Sequence, residues 1–182
     1  MTESLEVLAE RYGAPRSIRC SLPSIQFPPV SERDHGEVCM AIRRPSGHFL
    51  LQTKANYPRS VMRLPSGGIH RGEPVDAALL REIWEETNLS VEVDRFVAHI
   101  TYEHAGNHAR FSSYLFVVSE ISGELRSNDP DEKITHWCEA APADLPTYAS
   151  ALRDIHPKWR NWGQFRAAAL DILFDYCRAV EN

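Results

Sequence analysis

The stretch from Gly67 to Leu89, GGIHRGEPVDAALLREIWEETNL, constrains this chain more than any other. Ser66-Gly67-Gly68 reads as a glycine-rich turn, and a second tight turn at Arg71-Gly72-Glu73 leads into Pro74. Proline suits the first turn of a helix, because its φ is preset and no amide donor is needed there. From Pro74 to Thr87 helix formers are dense, and Leu79, Leu80, Ile83 and Thr87 recur on one side at helical spacing. On a wheel of about 100° per residue, Glu82, Glu85 and Glu86 share a separate arc roughly 100° wide. Like charges at this spacing weaken a helix by roughly 0.2–0.5 kcal/mol per pair. Such a cluster points to a bound cation, with a solvated helix face as the plain alternative.

The flanking pattern favours the cation. Gly67 is followed after five residues by Glu73, after seven more by Arg81-Glu82, then by Ile83, Glu85-Glu86, Asn88 and Leu89. This resembles the Nudix box of the Nudix hydrolase superfamily. The one departure is Asn88, which stands in the place of the last glycine. That position closes the helix in a left-handed conformation, where asparagine is the usual second choice. The resemblance implies an α/β (α+β) fold, the Nudix-type α/β/α sandwich around a mixed β-sheet, with an added N-terminal helix and C-terminal helices.

Composition agrees with one domain over residues 1–182, divided into an N-terminal extension (1–35), a Nudix core (36–141) and C-terminal helices (142–182). The 182 residues are 43% hydrophobic and 25% charged, ordinary for a globular protein. A net charge of −5 argues against a nucleic-acid partner, which would call for a basic excess. No apolar run approaches the roughly 20 residues of a membrane span, and no signal-peptide pattern opens the chain. Cys20, Cys39, Cys138 and Cys177 are scattered without metal-like spacing, and read as buried reduced thiols in a cytoplasmic protein.

Along the chain, Glu3 to Arg11 reads as a short helix, and Arg16 to Pro29 as an edge strand with an irregular continuation. Gly36–Ile42 and His48–Thr53 read as strands joined by a turn at Pro45-Ser46-Gly47. Val91–Thr101, Phe111–Val118 and Ile134–Cys138 are further strands, followed by helices near Pro142–Ile155 and Trp159–Val180.

Diphosphate cleavage requires divalent cations to neutralise the anion and orient a water. Magnesium, with manganese as the alternative, takes oxygen ligands, so carboxylates on one rigid helix suit it. The resemblance implies Glu85 and Glu86 as main ligands, Glu82 as ligand or base, and the Ser66 carbonyl as a further ligand. It also implies Glu73 and Arg81 as a supporting ion pair beside Gly67. The resemblance further implies a later acidic residue as ligand or general base, and Glu132, five residues before Trp137 where many relatives carry a glutamate, is the first candidate, ahead of Glu103, Glu120 and Glu124. Lys54, Arg59 and Arg63 precede the box and are candidate phosphate contacts. Tyr57 and Tyr102 are candidate pocket walls. Trp159, Trp162 and Phe165 read as core or dimer contacts, so a homodimer stays open. His99, His104 and His108 cluster without the second motif of a zinc site.

The expected function is metal-dependent hydrolysis of a diphosphate linkage in a nucleoside diphosphate derivative, by attack of water on phosphorus. The partner is then a small-molecule diphosphate, with no membrane. Two alternatives stand beside it: a non-catalytic Nudix-like ligand sensor, and an allylic diphosphate isomerase, which needs a cysteine and glutamate pair in a pocket.

Overall fold

The computed structural model describes residues 5–22, 33–58, 61–104 and 110–180. In chain order these form α1 (Leu5–Tyr12), β1 (Arg16–Leu22), β2 (Arg33–Arg43), β3 (Phe49–Lys54), β4 (Ser66–His70), α2 (Val75–Thr87), β5 (Leu89–His104), β6 (Arg110–Gly123), β7 (Ile134–Ala140), α3 (Leu145–Arg153) and α4 (Arg160–Val180). The strands make one seven-stranded sheet in the order β1-β5-β6-β2-β3-β7, with β4 paired to β2. It is mixed: β1 runs parallel to β5 and β2 parallel to β6, while the other pairs are antiparallel.

Period-two alternation divides the strands between two cores. In β2, Val38, Met40 and Ile42 enter one apolar cluster with Leu79 and Ile83 of α2 and Leu8 of α1. Cys39 and Ala41 enter the other, with Leu145 of α3 and Leu170 and Leu173 of α4. The result is the α/β/α sandwich. Alternation in β3 places Phe49 and Leu51 on the α4 side and Leu50 on the α2 side. Gln52 and Lys54 continue the α2 register, so β3 delivers two polar groups to the face where the box helix lies.

Two local readings change. Ser66-Gly67-Gly68 is strand, not turn: Ser66, Gly67 and Gly68 pair with Cys39, Val38 and Glu37 of β2. Alternation was hidden there because glycine carries no side chain to show it. Leu80 lies on the exposed face of α2, and Ala78 takes its place in the core. The Pro45-Ser46-Gly47 turn closes through the Gly47 N–H to the Arg44 carbonyl at 2.8 Å, with Gly47 at φ 83°. Among the described residues no helix is long and apolar enough to cross a membrane. All four cysteines are free; Cys39 and Cys177 are buried and Cys20 and Cys138 half-buried.

Candidate active site

Helix α2 presents Glu82 and Glu86 inward, at 6% and 0% exposure, so the solvated-face reading fails for both. One carboxylate oxygen from each, with one from Glu132, lies within 4.8 Å of the others. Glu132 arrives on a 3-10 turn, Pro130–Glu132, ahead of β7. Helix and strand meet closely because β4 offers a bare Cα: a Cβ on Gly67 would fall 1.8 Å from the Glu82 carboxyl carbon. Only glycine lets this carboxylate lie against the strand.

Arg81 fastens the other side of the cluster. Its Nε and Nη2 donate to both oxygens of Glu73 at 2.8 and 2.9 Å, and Nη2 also reaches the Gly68 carbonyl at 2.9 Å. Its Nη1 donates to Glu82 at 2.8 Å and Glu85 at 2.9 Å. Glu85 therefore faces Arg81 at the rim and stands outside the Glu82–Glu86–Glu132 trio. The Glu73 carboxyl is held below its ordinary value, first by the Arg81 hydrogen bonds.

Two donors from β3 meet Glu86. Gln52 Nε2 donates to Oε2 at 2.8 Å, and Lys54 Nζ donates to Oε1 at 2.7 Å and also contacts Glu132. Burial pushes the Glu86 carboxyl up to about 7, against the opposing pull of Arg63 and Lys54. Burial likewise raises Glu82, opposed by Arg81. For Glu132 burial also works against charge, but Lys54 outweighs it and holds the carboxyl below its ordinary value.

The remaining candidates fall elsewhere. Arg63 is 2% exposed and does not face solvent as a phosphate contact would. Its donors go to Tyr57 Oη, the Leu64 carbonyl and Ser66 Oγ. Tyr102 is a core residue rather than the wall of an open pocket, its ring edge-on to Phe165 at 4.5 Å. Both residues border a small cavity of about 10 Å³ with Glu37, Cys39, Ser113 and Arg166. This is room for about one water. Cys39 and Glu37 are thus the cysteine and glutamate that an isomerase reading would use. The cavity admits no allylic diphosphate, and burial pushes the thiol up to about 12. Arg59 and His108 lie outside the described residues. His99 stacks on Tyr114 at 5.0 Å and contacts Ser112 Oγ through Nε2.

Sequence reasoning passed over Gln52, Glu37 and Arg166. Glu37 accepts two bonds from Arg166 at 2.8 and 2.9 Å, one from Ser113 at 2.8 Å and one from Ser66 at 3.1 Å. Gln52 had a readable signal: a polar residue at a core position of an alternating strand. Arg166 had none, since its partner lies 129 residues away.

A family model described as the NUDIX domain matches residues 33–159. The chain belongs to the Nudix hydrolase superfamily. Among curated relatives, an ADP-ribose pyrophosphatase of Methanocaldococcus jannaschii is 30% identical over 114 residues. That match takes in 63% of this Nudix chain and 66% of the relative, just under two thirds of its length. A NUDIX hydrolase from Nitrosomonas europaea aligns with TM-score 0.52 and 18% identity, over 75% of this chain and 86% of that one. An ADP-ribose pyrophosphatase from Streptococcus suis aligns with TM-score 0.50 and 18% identity, over 79% and 91%. At such identities the two structures bear on the fold alone, and the Nudix sandwich is what they share.

Proposed function

We propose that this Nudix protein hydrolyses the diphosphate linkage of a nucleoside diphosphate derivative in a divalent-cation-dependent reaction. The carrying observation is the convergence of Glu82, Glu86 and Glu132 within 4.8 Å, two of them buried. Three carboxylates gathered at that spacing repel one another, and Lys54, Arg81 and the more remote Arg63 offset them in part. The donor set fits magnesium or manganese: hard oxygens on a rigid helix, shaped by the missing side chain at Gly67. Glu82 and Glu86 would hold the cation, with Glu85 and the Ser66 carbonyl as supporting oxygens at its edge. When bound, the cation supplies neutralisation of the diphosphate and acidification of a coordinated water.

The rest of the work falls to side chains. Glu132, whose side chain keeps 29% exposure, stands at the open edge of the trio and takes the proton from the attacking water at its carboxylate. Lys54 bridges Glu86 and Glu132 and is the cationic group placed to meet the substrate phosphates as charge builds on them. Arg81, tied to Glu73 and Gly68, keeps strand and helix in register so that Glu82 does not swing away. A non-catalytic sensor has no call for this acidic surplus.

Because the M. jannaschii relative is an ADP-ribose pyrophosphatase, ADP-ribose is the first substrate to try, followed by nucleotide sugars and dinucleoside polyphosphates. A panel with magnesium, read by phosphate release after coupling to a phosphatase, tests the proposal. Hydrolysis that stops in excess EDTA supports it, and full turnover in EDTA refutes the metal requirement.

A further inference from the structure

Asn88 ends α2 in the left-handed region, at φ 58° and ψ 20°, with its N–H on the Trp84 carbonyl at 2.9 Å. Glycine serves that backbone role with less strain, so helix termination alone does not call for an amide side chain. The side chain is engaged elsewhere. Its Nδ2 donates to the Glu124 carbonyl at 3.0 Å, and its Oδ1 accepts from Asn128 Nδ2 at 3.0 Å. Asn88 thus grips both ends of a five-residue segment that leads straight to Glu132.

That segment is fitted onto the helix end. The carbonyls of Trp84, Glu85 and Thr87 lie in the last turn of α2; the Asn88 amide already serves that of Trp84, and those of Glu85 and Thr87 lie beyond the helix's own donors. Asn128 Nδ2 reaches the Trp84 carbonyl at 2.9 Å, and the Asn128 and Asp129 amides reach that of Glu85 at 2.8 and 3.2 Å. The Arg126 amide takes that of Thr87 at 3.1 Å. Asp129 then caps the 3-10 turn, accepting from the Asp131 amide at 2.9 Å, and the turn closes at Lys133, φ 54°, through the Pro130 carbonyl. From Asn88 to Glu132 each step is a hydrogen bond or a capped turn.

We propose that Asn88 is a positioning residue for Glu132: its amide replaces a bare glycine with a two-point tether that fixes the 124–129 loop, and so the Glu132 carboxylate, against the box helix. This rests on the reading of Glu132 as the group that accepts the proton from water. The helix that carries Glu82 and Glu86 then also sets their distance to Glu132. A base must sit within hydrogen-bond reach of its water, and small misplacements cost large factors in rate.

A double-mutant cycle on the full chain tests it, with ADP-ribose and magnesium, or whichever substrate the panel selects. Asn88→Gly is expected to lower kcat about tenfold with KM little changed, because two geometry-setting hydrogen bonds are lost while the backbone cap survives. In a Glu132→Gln background the same change is expected to matter less than about twofold, since the group to be positioned is gone. Asn88→Asp, which keeps the acceptor for Asn128, is expected to recover part of the loss. Asn128→Ala reads the same tether from the loop side and serves if Asn88→Gly fails to fold. Apart from activity, amide exchange over 126–132 is expected to speed up in Asn88→Gly, with melting shifted by no more than about 2 °C. A normal kcat in both Asn88→Gly and Asn128→Ala, with Glu132→Gln impaired, overturns the tether and leaves Glu132's role intact. Equal losses in both backgrounds overturn it too, because they show a general structural effect. Near-native turnover in Glu132→Gln overturns the reading of Glu132 and, with it, any purpose for the tether.

Discussion

Glu37 and Glu86 are carboxylates of similar burial on opposite faces of one sheet, and their surroundings differ in kind. Glu37 lies on the α4 side, where Arg166, Ser66 and Ser113 satisfy both of its oxygens. Glu86 lies on the α2 side beside two further carboxylates, with Lys54 and Gln52 as its partners. Strand β4 divides the two environments residue by residue: Ser66 turns its hydroxyl to Glu37, and Gly67 opens space for Glu82. A buried charge that is fully paired is part of the architecture. A buried carboxylate set among its own kind carries a repulsion that a bound cation would relieve.

The largest expected effect falls on the second cluster. Glu86→Gln keeps size and most hydrogen bonding but removes the charge, and turnover is expected to fall on the order of 10²-fold or more, with melting unchanged or raised. Steady-state rates and calorimetry on the same preparation check both halves; near-normal turnover would remove the box helix as the cation platform. Glu37→Gln is the mirror experiment. It leaves Arg166 buried without its counter-charge, a change that costs about 3–5 kcal/mol in comparable pairs. Melting is expected to drop on the order of 10 °C, while turnover per folded molecule well below melting changes little. If Glu37→Gln instead abolished turnover without lowering the melting temperature, the division between the clusters would be wrong.

Acidity separates them next. The folded Glu86 carboxyl sits at about 7, above its ordinary 4.5, so the native state binds that proton more tightly than the unfolded chain does. Its contribution is fully present below about pH 4.5 and is lost as pH rises through about 7. Glu82, also raised, adds in the same direction; Glu132, lowered, opposes it with stability that is lost on acidification. In EDTA, the melting temperature is therefore expected to decline from about pH 5 to pH 7.5, and Glu86→Gln to flatten the decline. Millimolar magnesium should raise melting at pH 7.5 by mass action, and leave the Glu86→Gln variant largely unmoved. The smallest effect belongs to the outward face of α2. Trp84 is 57% exposed, and Trp84→Gln is expected to change stability by under about 0.5 kcal/mol and turnover not at all. A larger cost in either measurement would mean that this face is covered.

Much of this comparison was readable in the chain, and the unread part has a common cause. The box helix, the strands beyond it and the left-handed Asn88 follow from local rules of spacing, propensity and capping. Glu132 could be named only through the family resemblance, by its place five residues before Trp137, and its neighbour Lys54 only as a basic residue before the box. Their mutual contact spans 78 residues and leaves no local trace. The Glu37–Arg166 pair is hidden for the same reason. Arg63 and Tyr102 mislead in the opposite way, because an arginine or tyrosine near a motif looks available until the fold buries it.

The spacing of these contacts also bears on how the protein is made. Lys54, Glu86 and Glu132 lie 32 and 78 residues apart along the chain, as counted from the lysine. Contacts this remote form only after long stretches of chain have been brought together. As the polypeptide leaves the ribosome, Lys54 and Glu86 emerge well before Glu132. The repulsion that Glu132 adds to that between Glu82 and Glu86 is thus deferred until β3, α2 and the 124–129 loop are all in place. A truncated product ending before residue 132 would carry the recognisable motif and lack the completed site, so capture of a metal ion would report that the Nudix core had been finished.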